Sequence, residues 1–215
     1  MLSFSDIYQG FFVPASIAVP VTVAIRRYRF AGKGPRGILW YLLVSGFING
    51  IAIILSFLRT NNLPLLHVYT VIELVLLGQF FSYSFRSAFM RNWIRGIQLV
   101  FVLLCTVNFC FIQSLYIFNS YTRPLEAIVI ICLSLLYLYS LTGPDAAVPW
   151  TTLPEVWIAA GLLIYFSTSF SEFTFANVVS VKASRSVKLL IWNIHDTMVL
   201  IMYLFFAKGF TQCKS

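Results

Sequence analysis

The strongest constraint in this sequence is its repetition of long apolar runs. Seven stretches lie at 7–25, 38–58, 66–86, 96–117, 124–142, 154–177 and 189–208. Each has the length of about 20 mainly apolar residues that a helix needs to cross the hydrocarbon of a bilayer. With no water in that layer, a spanning backbone must satisfy its own hydrogen bonds, so runs of this kind fold as helices. The expected fold is all-α: one polytopic membrane domain over residues 1–215, built as a bundle of seven transmembrane helices. Composition agrees, because only 10% of the residues are charged, against about 25% in a soluble domain.

The connections are readable as breaks. They run RRYRFAGKGPRG, RTNNLPLL, RSAFMRNWIR, FNSYTRP, TGPDAAVPWTTLP and VSVKASRSVK, rich in charge, Gly and Pro. The net charge of +8 is spread among them and not gathered into one patch, so no nucleic-acid partner is expected. The positive-inside rule explains it instead. With the N-terminus outside, ten basic residues fall inside: Arg26, Arg27, Arg29, Lys33, Arg36, Arg86, Arg91, Arg95, Lys208 and Lys214. Five fall outside: Arg59, Arg123, Lys182, Arg185 and Lys188. The expectation is therefore a multi-pass protein of the cytoplasmic (inner) membrane with a cytoplasmic C-terminus and membrane lipid around it. The start, MLSFSDIYQG, has no positive n-region or small-residue cleavage site, so the first run reads as a retained helix. No CxxC spacing links Cys105, Cys110, Cys132 and Cys213, which argues against a zinc knuckle or disulfide framework.

That orientation gives the polar residues a depth. His67 falls at the outer mouth of the third span, with Glu73 about 9 Å deeper. Glu126 falls near the outer mouth of the fifth, Glu172 and Asn177 near the outer end of the sixth. Trp192, Asn193, His195 and Asp196 occupy the outer half of the seventh. Ionisable groups inside a span cost about 2.5–3.5 kcal/mol each on insertion scales and normally face the bundle interior or water. The spacing of Trp192, His195 and Asp196 puts them on one helix face. The expected ligand-binding set is His67, Glu73, Glu172, Asn177, Trp192, His195 and Asp196, lining an outward-facing polar pocket. Glu126, so near its mouth, reads as a snorkelling side chain. Asn49 and Asn108 read as interhelical amides, and Glu155 as a first-turn acid after Pro154.

Three segments carry a resemblance: NNLPLLHVYTVIEL (61–74), PEVWIAAGLLIYFS (154–167) and LLIWNIHDTMVLIMYLF (189–205). Their pattern of Asn-Asn, His, Glu, Trp and His resembles a family of small, largely uncharacterised seven-helix membrane proteins of Bacteroidetes-type bacteria. Similar membrane regions precede sensor-kinase-like modules. The resemblance implies a sensory role exerted through a separate cytoplasmic signalling partner, since no kinase module follows Ser215.

The resulting expectation is a sensor or receptor-like module whose pocket takes a small-molecule ligand or a proton. Histidine is the side chain that ordinarily changes charge between about pH 5 and 8. A small-solute or ion transporter is the first alternative, favoured by the membrane acids and by Pro14 and Pro20 in the first span, though no internal repeat is visible. An intramembrane metal-dependent lipid hydrolase is the second. Its ligand types are present, but HExxH and HxxxH are not, and the chain has two histidines where adiponectin-receptor-type hydrolases use three. A retinal protein needs a mid-span lysine that 189–207 lacks. A bis-histidine haem on His67 and His195 would need equal depths that their positions do not give. No cofactor is expected.

Overall fold

The computed structural model describes residues 4–142 and 149–214. The start of MLSFSDIYQG, the centre of the fifth connection and Ser215 lie outside the described residues. Among the described residues, seven helices are long and apolar enough to cross a membrane: α1 (Tyr8–Phe30), α2 (Lys33–Phe57), α3 (Leu63–Ser84), α4 (Ala88–Ile112), α5 (Thr122–Ser140), α6 (Pro154–Lys182) and α7 (Arg185–Thr211). No strand occurs among the described residues.

α2, α4 and α7 begin before their apolar runs because polar residues form their first turns. α4 begins within the expected third connection, where the Ser87 hydroxyl accepts a hydrogen bond from the Met90 amide. Ser184 does the same for the Val187 amide, so α7 begins at Arg185 and the sixth connection shrinks to Ala183 and Ser184. Such caps satisfy amides that otherwise have no intrahelical partner. Pro64 and Pro154 sit in the first turns of α3 and α6, where their missing N–H is harmless. In α1, Pro14 and Pro20 interrupt the ladder instead. The helix is π-wound over Tyr8–Phe12 and breaks again at Ile17.

Six helices close a ring. α1 packs on α2, α2 on α3, α3 on α5, α5 on α6, α6 on α7 and α7 back on α1. α4 stands outside this ring, packed mainly on α3 through Leu74, Phe101 and Cys105. Beside it, an apolar groove of about 540 Å³ separates α4 from α5. The main core is aromatic and aliphatic, with Phe80, Phe81, Ile130, Leu162, Phe166 and Phe206 fully buried. The outer surface is equally apolar: Phe47 is 71% exposed, Phe111 84% and Val181 81%. A surface of that kind calls for lipid and not water as its solvent. The C-terminal tail folds back on the core, where Cys213 is buried, and burial pushes its thiol up to about 11.

Hydrogen bonds tie the connections of one end together. Asn61 in the α2–α3 connection donates to the Tyr116 carbonyl in the α4–α5 connection at 3.1 Å. Asn177 on the last turns of α6 donates to the Phe118 carbonyl and the Ser120 hydroxyl, both at 2.9 Å. The α6–α7 junction lies at this same end.

α6 and α7 approach closely because of two glycines. A methyl group on Gly161 would lie 2.7 Å from Phe205 Cβ, and one on Gly209 would lie 2.9 Å from the Pro154 carbonyl oxygen. Without a hydrophobic force between helices in lipid, such close approach supplies the packing contact. Gly161→Ala and Gly209→Ala should each lower stability by about 1–3 kcal/mol through overpacking. Gly50→Ala, on an open face of α2, should raise it by about 0.5–1 kcal/mol, since glycine weakens a helix interior. Thermal unfolding in detergent would compare the three.

Candidate functional site

The residues singled out from the sequence divide into three places. The first is a buried charge cluster in the bundle interior. Glu73 on α3 lies between the helices of the ring, and Glu126 on α5 lies one turn below Arg123. Arg123 Nη1 donates to Glu73 Oε2 and, at 2.7 Å, to Glu126 Oε2. Tyr41 from α2 donates to Glu73 Oε1 at 2.8 Å, and Tyr69 from α3 to the same oxygen at 3.0 Å. Ser45 and Tyr69 share a 2.6 Å hydrogen bond. All three ionic side chains are at most 5% exposed. One guanidinium thus meets two carboxylates, while Arg123 Nε and Glu126 Oε1 have no partner.

Two expectations change here. Arg123 is not a basic residue of an outer connection; it lies in the first turn of α5, 4% exposed, as the central cation of the site. Glu126 does not snorkel, because it is fully buried and paired. Both follow from α5 starting at Thr122, which carries Arg123 into the bundle. The signal available in the sequence was the i, i+3 spacing of Arg123 and Glu126, which favours an ion pair on one helix face.

The second place lies between α6 and α7. His195 Nδ1 is 3.0 Å from Glu172 Oε2 and 3.1 Å from the Ser169 hydroxyl. The His195 ring sits against Tyr165, Phe173 and Trp192, with centroids 5.5, 5.8 and 5.9 Å away. Asp196 follows on α7, half-buried. Asn193 turns to the opposite neighbour, accepting from Ser5 and Gln9 of the N-terminal helix at 2.9 and 2.8 Å. The polar turns of the seventh span therefore serve two interfaces: Asn193 holds the N-terminal helix, while His195 addresses α6. Glu172 and Trp192 also line a crevice of about 140 Å³ with Ala176, Val179, Lys188 and Ile191.

The two clusters meet at one ring. Phe173 lies against His195 on one side, and the Arg123 guanidinium carbon lies 4.6 Å from its centroid. That is a cation–π contact in a dry setting.

His67 joins neither cluster. It is buried, its Nε2 3.0 Å from the Ile117 carbonyl and its ring edge-on to Phe109 at 5.0 Å. It fixes the α4–α5 connection, as Asn177 does from α6. Asn108 bonds Gln113 across the end of α4 and not a neighbouring helix, so it is no interhelical amide. Asn49 is exposed on α2. Glu155 occupies the first turn of α6 as expected. Among the described residues, no three His, Cys, Asp or Glu side chains converge in a way that could hold a metal ion.

Removing one partner from a buried ion pair strands the other charge. Arg123→Met should destabilise the protein by about 3–5 kcal/mol, and Glu126→Gln clearly less, because Glu73 still pairs the guanidinium. Denaturation of the single and double variants would reveal the coupling; additive losses would contradict a shared cluster. Comparison with family models, curated proteins and solved structures finds no match to the chain.

Proposed function

We propose that this chain is a sensor or receptor-like module of the cytoplasmic membrane, with its N-terminus outside and its C-terminus in the cytoplasm. The pocket at the α6–α7 end faces outward, takes up a small ligand or a proton, and acts on a separate signalling partner at the cytoplasmic face. One observation carries this reading. The His195–Glu172 pair borders the crevice and shares Phe173 with Arg123. A change of charge or occupancy at the pocket therefore bears directly on the ring that covers the buried cluster joining α3 and α5. Ligands shift such a bundle only by their differential affinity for its two packings. The resemblance to membrane input regions points the same way.

A small-solute or ion transporter remains the second reading, supported by the buried Glu73–Arg123–Glu126 cluster and the proline-interrupted α1. Ionisable groups held inside spans commonly mark substrate or proton paths. The lipid-hydrolase reading has no converged ligand set to rest on among the described residues.

Amide hydrogen exchange in lipid nanodiscs tests the sensor reading. Protection of the α4–α5 connection and of the facing turns of α6 and α7 should change by about tenfold between about pH 5 and 8, a coupling near 1.4 kcal/mol. The change should vanish in His195→Ala. Protection that is flat with pH after correction for the intrinsic exchange rate, or a response that survives loss of His195, would refute it. Orientation is checked separately: a cysteine placed at exposed Ser114, in a chain without its native cysteines, should react with an impermeant maleimide added outside intact cells.

A further inference from the structure

The crevice between α6 and α7 is lined by both helices. Its floor is Glu172, whose side chain is 9% exposed. Oε2 faces His195, but Oε1 is buried without any hydrogen-bond partner. A buried acceptor left unpaired is costly, and an ionised carboxylate more so. The remaining wall is Trp192 with Ala176, Val179 and Ile191. At the rim, Lys188 reaches across from α7 and donates to the Ser180 carbonyl at 2.6 Å. Ser180 is two turns beyond Glu172 on α6, about 12 Å along the axis.

We infer that this crevice is a binding site for a small alkylammonium ion, with Glu172 Oε1 as its counter-charge and the Trp192 ring and apolar wall around its methyl groups. The inference rests on the sensor reading above and names its ligand class. Size fits: a cavity of about 150 Å³ holds a benzene-sized molecule, so about 140 Å³ accepts a quaternary ammonium group with a short substituent. Chemistry selects the class. One free carboxylate oxygen against apolar walls gives far too few oxygen ligands for calcium or magnesium, which require about six or more. Anions are repelled by that oxygen. A cation that carries its charge inside an apolar shell meets both the carboxylate and the aromatic ring. Lys188 at the rim carries the same sign, which weakens affinity and disfavours ligands of higher charge.

The trimethylammonium group could arrive on a water-soluble molecule or on a lipid headgroup. Choline is the probe, titrated by calorimetry against the full chain in phosphatidylglycerol nanodiscs at constant ionic strength. Its uncharged isostere, with a quaternary carbon in place of nitrogen, is the control. Choline should saturate one site and the isostere should not. Glu172→Gln should weaken choline at least tenfold, and Lys188→Ala should tighten it several-fold. Because Glu172→Gln also disturbs His195, Ala176→Leu provides a second variant: it fills the crevice without altering charge, and should abolish binding while the fold persists by thermal unfolding. In phosphatidylcholine nanodiscs, competition with soluble choline assigns the ligand to the lipid, and unchanged affinity assigns it to the water phase. Equal binding of choline and its isostere, no saturable choline binding, or binding indifferent to Glu172→Gln and Ala176→Leu would overturn the inference. Saturable choline binding with no change in amide exchange would leave this site standing and remove the sensor reading. A His195-dependent exchange response without choline binding would do the reverse.

Discussion

Arg123 has to be neutralised inside an apolar bundle, and most of the interior follows from that requirement. A lone guanidinium at this depth would face a desolvation penalty of several kcal/mol. Glu73 and Glu126 meet it from α3 and α5, and Tyr41 and Tyr69 complete the bonding of Glu73. The cluster therefore fixes the rotation of three helices at once: α2, α3 and α5 can each present only one face inward. Phe173 of α6 closes it from the fourth side. Apolar packing alone would allow these helices to slide or rotate, because lipid tails solvate a leucine as well as another helix does.

A second set of polar contacts works at the end of the bundle where α6 meets α7. His67, Asn61 and Asn177 all bond the α4–α5 connection, through the carbonyls of Ile117, Tyr116 and Phe118. That segment is thus held by α3, by α6 and by the α2–α3 connection. Its attachment combines these hydrogen bonds with the stacking of Phe118 on Phe173, whereas the opposite end is held by glycine-mediated contact between α6 and α7. The His195–Glu172 crevice lies at the end held by these hydrogen bonds. The proposed reading takes this end as the ligand-responsive one, since such elements are drawn from regions of low local stability.

Hydropathy and the lengths of the apolar runs were sufficient to specify seven helices long and apolar enough to cross a bilayer, since a helix lets a backbone in hydrocarbon satisfy its own hydrogen bonds. They also identified Glu73, Glu172, Trp192, His195 and Asp196 as residues out of place in lipid. The i, i+3, i+4 spacing of Trp192, His195 and Asp196 could be read directly, because a helix repeat is a local property.

Only the tertiary structure decided which of these residues meet. Glu73 and Glu172 read alike in sequence, yet one pairs with Arg123 and the other with His195. Arg123 was hidden in the sequence because charge beside a proline reads as loop. A helix that begins at Thr122, two residues before the expected start at 124, moves it from a connection to the core. His67 and Asn177 read as pocket residues and instead hold a connection, because their partners are carbonyls about 50 or more residues away that no local pattern announces. Span number is set by the solvent and by backbone chemistry, both written along the chain. Pairing is set by which helix faces turn toward each other, and that depends on every other contact in the ring.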